Sequence, residues 1–218
     1  MSLIWKPEDP DRAPPKVIVS RSGNPRPTPP SAPLMAPSVT EVAHDGATSR
    51  RAPRYGVVDT TFSTVNMGEI ALKAFAAAGI PKDRVLRRTV PGFKDLAVAA
   101  KNLIEREGCG IVLACGMPGP EPIDQQCGHE ASLAIGQAQL MTSTHILECF
   151  VHMDEAKTDA ELIAICENRV AEHAVNAFWL LERPEELVSR AGTGQRQGFS
   201  DIGPADASRK DAKHLRPS

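Results

Sequence analysis

Between Tyr55 and Leu181 the chain changes its hydrophobic period again and again, and few folds can accommodate that pattern. Tyr55-Gly56-Val57-Val58 reads as a strand. A helix follows from about Asn66 to Ala78, with Asn66 and Glu69 as a capping box and Gly79 and Pro81 as its stop. Arg84 to Val90 reads as a second strand. Asp95 opens a helix with Leu96, Ala99, Ala100, Leu103 and Ile104 on one face, ended at Gly108. Ile111 to Cys115 is wholly apolar, as a strand buried on both faces of a parallel sheet should be. A third helix spans about Cys127 to Met141, and Ile146 to Val151 is a fourth strand. Thr158 with Glu161 caps a last helix that runs to about Leu181. Right-handed crossovers then predict an α/β protein with a four-stranded parallel sheet between two helical layers, an α/β/α sandwich.

The flanks obey different rules. Residues 1–53 hold 11 of the 19 prolines and have little apolar periodicity, which predicts a disordered or extended tail. Residues 205–218 read as a short polar tail, which leaves 54–204 as the folded domain. A formal net charge of −2 argues against nucleic-acid or membrane-surface binding, since both favour a clustered positive field. The N-terminus lacks the basic start and apolar centre of a secretory signal, and no apolar run is long enough to span a bilayer. Five cysteines, an odd number with no CxxC pair, fit reduced thiols in the cytosol, so a cytoplasmic location is expected.

In open α/β sheets, ligands bind beyond the carboxyl ends of the strands. That rule selects DTTFS (Asp59 to Ser63), TVPGFKD (Thr89 to Asp95), CGMPGPEPID (Cys115 to Asp124) and VHMDEAK (Val151 to Lys157). Phe62 could stack on a flat heterocycle or pack beneath the first helix, and residues alone favour neither. Pro91-Gly92 suits a rigid turn that lets backbone groups approach a ligand. His129 and Glu130, near the start of the third helix, suit proton transfer. No GxGxxG or GxxxxGK[ST] motif is present, so there is no positive signal for nucleotide binding. His145, Cys149 and His152 do not share one strand face, and no metal site is expected. Arg169, His173 and Asn176 recur at helical spacing as a polar stripe, either a solvated face or a contribution to a site across a subunit interface.

Several uncommon strings occur in one order: GVVDTTF, TVPGFKDL, GCGIVLACGMPG, HEASL, AQLMTSTHILECFVHMDEAK, AEHAVN and AGTGQRQGF. Together they resemble the archaeal-type riboflavin synthases over about Tyr55 to Ala205, with Ala97 standing where that family leads one to expect proline. The family is similar in turn to lumazine synthase, through the VPG turn and through Asn168, Arg169, Ala171 and Glu172. The resemblance implies a flavodoxin-like sandwich assembled as a homopentamer, with active sites between subunits. It also implies the dismutation of two 6,7-dimethyl-8-ribityllumazine molecules to riboflavin and 5-amino-6-ribitylaminopyrimidinedione. No redox cofactor is implied, and there is room for assistance by a divalent cation such as Mg.

On that reading, Phe62 stacks on a ring beside Thr60, Thr61 and Ser63. Pro91, Gly92, Lys94 and Asp95 meet the pyrimidine edge and ribityl hydroxyls, while Gly116, Met117 and Pro118 form a wall. His129 and Glu130 move protons, and Arg169 and His173 come from the neighbouring subunit. Gln125 falls near the place of a lumazine synthase histidine, so that residue's role does not carry over. The alternatives are lumazine synthase itself, which would need a cationic phosphate cradle at a helix N-terminus, and a non-catalytic lumazine or flavin carrier on the same scaffold.

Overall fold

Among the described residues four strands and four long helices alternate, and burial explains why. The computed structural model describes residues 53–196 and 201–205. Residues 1–52 and 206–218 hold nearly all of both expected tails and lie outside the described residues. Strands β1 (Arg54–Thr60), β2 (Val85–Val90), β3 (Cys109–Gly116) and β4 (Ile146–Phe150) form one parallel sheet in the order β2-β1-β3-β4. The central β1 and β3 are buried almost throughout, which is why both read as apolar runs rather than alternating ones.

Helices α1 (Met67–Ala77) and α4 (Asp159–Glu182) cover one face of the sheet. Met67, Ala71 and Phe75 of α1 meet Val170, Ala174, Ala177 and Phe178 of α4 over Tyr55, Val57, Ile111 and Leu113. On the other face, α2 (Phe93–Glu105) and α3 (Pro122–Thr142) pack Leu96, Ala100, Leu103, Ala131 and Ile135 over Val58, Val112 and Ala114. A short α5 (Glu186–Arg190) follows. The sandwich expected from the alternation is the observed one.

Both expected N-caps form, although at Asn66 the reciprocal half of a capping box does not, the Glu69 carboxylate facing Arg87 at 3.7 Å. Asn66 accepts from the Glu69 amide at 3.0 Å, and Thr158 accepts from the Glu161 amide at 3.2 Å. Two helix starts differ. Helix α2 begins at Phe93, two residues before Asp95, because capping by Gly92 lets the Phe93 ring enter the core. Helix α3 begins at Pro122, five residues before Cys127. Proline is well suited to the first helical position, so part of the proline-rich "loop" is helix. His129 and Glu130 therefore sit about two turns inside α3 rather than at its start.

Candidate active site

Parallel strands bring Thr60, Val90, Gly116 and Phe150 to a single edge of the sheet. After β1 the chain turns onto one face and after β3 onto the other, which makes the boundary between these two strands the switch point of the sheet. A crevice at such a switch point is where open α/β sheets bind ligands.

Three aromatic rings run along this edge. Phe62 lies 5.6 Å from Phe93 in an edge-on arrangement, and Phe93 lies 5.6 Å from Phe150. Phe93 is buried, while Phe62 is 49% exposed and so does not pack under α1. Its free surface is available to a flat ligand. Gly116 makes the row possible. A Cβ there would come within 2.7 Å of Phe150 and 2.8 Å of Phe93, too close for any side chain.

Polar groups surround the rings. Thr60 and Ser63 share a hydrogen bond of 2.9 Å, and the Thr61 hydroxyl donates to the Pro91 carbonyl at 3.3 Å. That contact joins the loops after β1 and β2. Thr64 donates to the sulfur of the fully buried Met117 at 3.2 Å, joining the loops after β1 and β3. The Gly116 and Pro118 carbonyls accept from the Val151 and Met153 amides. Gln125 donates to the Gly119 carbonyl at 2.8 Å, so it serves the β3 loop as a brace.

Lys94 and Glu130 form an ion pair of 2.7 Å between α2 and α3, and Gln126 also donates to Glu130. Lys94 and then Gln126 hold the Glu130 carboxyl below the usual carboxylate range. The same pair raises the Lys94 ammonium above its ordinary value. His129, Pro91 and Asp95 are exposed, and a side chain at Gly92 would meet open space.

Arg169 and His173 occupy neither a solvated stripe nor a surface turned away from their own chain. Arg169 donates to the Phe150 carbonyl at 2.7 Å and makes a bidentate pair with Glu155 at 2.8 and 2.6 Å. Burial alone would raise the Glu155 carboxyl, but Arg169 outweighs it and holds the group low. His173 is buried, with Nδ1 2.8 Å from the Arg169 carbonyl and its ring turned to Cys149. Burial lowers the His173 imidazole, and the bond to Cys149 more than reverses that. Cys149 stands in register with Cys115 on β3, and both thiols are buried. The neighbouring Cys149 thiol, and then burial, push the Cys115 thiol up. Among the described residues no group of three or more His, Cys, Asp or Glu is arranged to hold a metal ion.

Phe93 and Phe150 were not singled out from the sequence. In a chain with only 4% aromatic residues, Phe93 and Phe150 carry the same signal as Phe62, a ring beside a strand end. A groove of about 320 Å³ lies between β2 and α2, lined by Arg88, Thr89, Asn102 and Arg106 among others. It contains no aromatic ring.

Residues 52–185 match the family model described as 6,7-dimethyl-8-ribityllumazine synthase. The chain is 52% identical over 153 residues to a protein of Methanothermobacter marburgensis named riboflavin synthase, covering 69% of this chain and 98% of that one. Its namesake from Methanothermobacter thermautotrophicus is 51% identical over the same shares. The riboflavin synthase of Archaeoglobus fulgidus is 44% identical over 152 residues, covering 69% and 97%. The chain belongs to the lumazine synthase family of α/β proteins and, within it, to the archaeal-type riboflavin synthases.

Proposed function

We propose that this chain converts two molecules of 6,7-dimethyl-8-ribityllumazine to riboflavin and 5-amino-6-ribitylaminopyrimidinedione. The observation that carries the reading is the aromatic row Phe62-Phe93-Phe150, with its one half-exposed ring at the switch point of a riboflavin synthase relative. Stacking two flat rings face to face turns a bimolecular encounter into an oriented reaction. Phe62 offers the outer stacking surface. Thr60, Thr61 and Ser63, with Pro91, Gly92, Lys94 and Asp95, offer hydrogen bonds to ribityl hydroxyls and the pyrimidine edge. Gly116, Met117 and Pro118 are buried beneath the rings and back the site from within the fold.

A proton must leave the acidic C7 methyl group and others must be relayed later. Glu130 and the exposed His129 beside it are the groups assigned to these transfers. The reaction is a dismutation and draws on no redox cofactor. Any divalent cation such as Mg would assist without a clustered ligand set among the described residues.

The working form is a homopentamer in the cytoplasm, with sites completed between subunits. Support comes from α3, whose surface carries Ile123, Leu133, Leu140 and Met141, each at least 63% exposed. A lone subunit would leave that apolar surface in water. Among the described residues no helix is long and apolar enough to cross a membrane.

The purified full-length protein, given ribityllumazine alone, should make riboflavin with no nicotinamide or nucleotide added, as read by fluorescence-detected chromatography. Binding without turnover would instead make it a carrier. Activity only with the ribitylaminopyrimidine and a four-carbon phosphate would make it a lumazine synthase.

A further inference from the structure

Asp59 is the penultimate residue of β1, and its carboxylate is buried at the edge where the Phe62 segment begins. It accepts from Arg87 Nε at 3.2 Å and Nη2 at 2.5 Å, and from the Thr89 hydroxyl at 2.8 Å. Both donors come from β2, on which Thr89 stands directly beside Asp59. The same Arg87 Nη2 also donates to Asn66 Oδ1 at 2.7 Å, and Asn66 caps α1. A single guanidinium therefore ties the residue before the segment 60–66 to the residue that ends it. Other ties hold the middle: the Thr60–Ser63 bond, the bonds from Thr61 to the Val90 and Pro91 carbonyls, and the Thr64 hydroxyl on the Met117 sulfur.

The space for this arrangement is built in. A Cβ on Gly68, in the first turn of α1, would collide with both the Arg87 guanidinium and the Asp59 carboxylate. An ion pair with a buried carboxylate is a poor source of net stability, because desolvation offsets much of the attraction. Its bidentate geometry, however, fixes direction well. Here the direction fixed is the path of the Phe62 segment.

We propose that Asp59 and Arg87 are positioning residues that clamp both ends of the segment 60–66 and so hold the Phe62 ring in place to stack on the substrate. The proposal deepens the riboflavin synthase reading and rests on it for its substrate. Neither residue need touch the reacting atoms.

The test uses the full-length protein. Arg87→Met should lower kcat/KM by about a hundredfold, as a misplaced contact group can. A merely structural role is separated by a double-mutant cycle with Phe62→Ala. If Arg87 acts through Phe62, its loss costs little more once the ring is gone. Two losses that multiply independently would overturn the proposal. Should Arg87→Met fail to fold, Asn66→Ser decides. Serine keeps the helix cap but is too short to reach Arg87, so kcat/KM should fall while the melting temperature holds. Asn66→Asp, which restores the acceptor, should recover activity. Unchanged activity in Asn66→Ser, or no recovery in Asn66→Asp, would overturn the clamp. Amide exchange gives a readout free of activity: residues 60–66 should exchange faster in Asn66→Ser while the strands keep their protection. If wild type makes no riboflavin but exchange responds as expected, the functional reading fails and the clamp stands. If exchange in the segment does not change, the clamp fails whatever the activity.

Discussion

The two helical layers of this sandwich are finished to different degrees. On the α1/α4 side, α4 alone buries Leu162, Cys166, Val170, His173, Ala174, Ala177, Phe178 and Trp179. Arg169 closes the end of that layer by bonding the Phe150 carbonyl and Glu155. On the α2/α3 side, the 21-residue α3 buries only Gly128, Ala131, Ile135 and Ala138. Leu133, Leu140 and Met141 face outward with Val98 of α2 exposed in the same layer. The first layer buries most of its apolar surface within one chain, Ile163 being its exposed exception on α4. The second packs its own core against the sheet but leaves apolar side chains of α3 at the surface.

The contrast can be broken most forcefully in the self-contained layer. Phe75 is fully buried against Tyr55 at 5.0 Å between rings, so Phe75→Ala should cost about 3–5 kcal/mol in denaturant unfolding. A loss below 1 kcal/mol would mean that layer is loosely packed. A middle-sized effect is expected where the layer meets the site. Arg169→Ala strands Glu155 and the Phe150 carbonyl, and should cost about 1.5–3 kcal/mol. The Glu155 carboxyl is held low, so its contribution is present above the unfolded value near pH 4.3 and fades as pH falls through the lower folded value. The gap in stability between wild type and Arg169→Ala should therefore narrow on acidification. A gap independent of pH between 3 and 6 would remove the ion pair from the account. The smallest effect on the fold of a single chain should come from Leu140→Glu. Leu140 is 85% exposed, and a surface change there shifts stability by no more than about 0.5 kcal/mol. Light scattering should nonetheless show the assembly breaking down. An unchanged particle mass would show that α3 is not where the copies meet.

The architecture was legible because periodicity records burial, and burial is regular along each element. Alternating strand and helix signals predicted a parallel sheet, and the carboxyl-edge rule then collected Thr60 to Ser63, Pro91 to Asp95 and Gly116 to Pro118 at one edge. Local capping chemistry placed Asn66 and Thr158 correctly. Where local chemistry has two uses, the reading slipped. Pro122 looked like loop because proline breaks helices, yet it is also favoured at their first turn, and the chain uses it so.

What the sequence alone determined is therefore whatever depends on neighbours a few residues away: element type, order, caps and the presence of a site edge. Only the tertiary structure decided which of those residues meet. Asp59 and Arg87 are 28 apart in sequence, and Arg169 and Phe150 are 19 apart. Phe62, Phe93 and Phe150 come from three different segments. Their meeting depends on strand register and on which face each helix covers. A one-residue slip in register would send Asp59 away from Thr89 and Arg87. No local pattern encodes that choice, because it is made by packing the whole core at once.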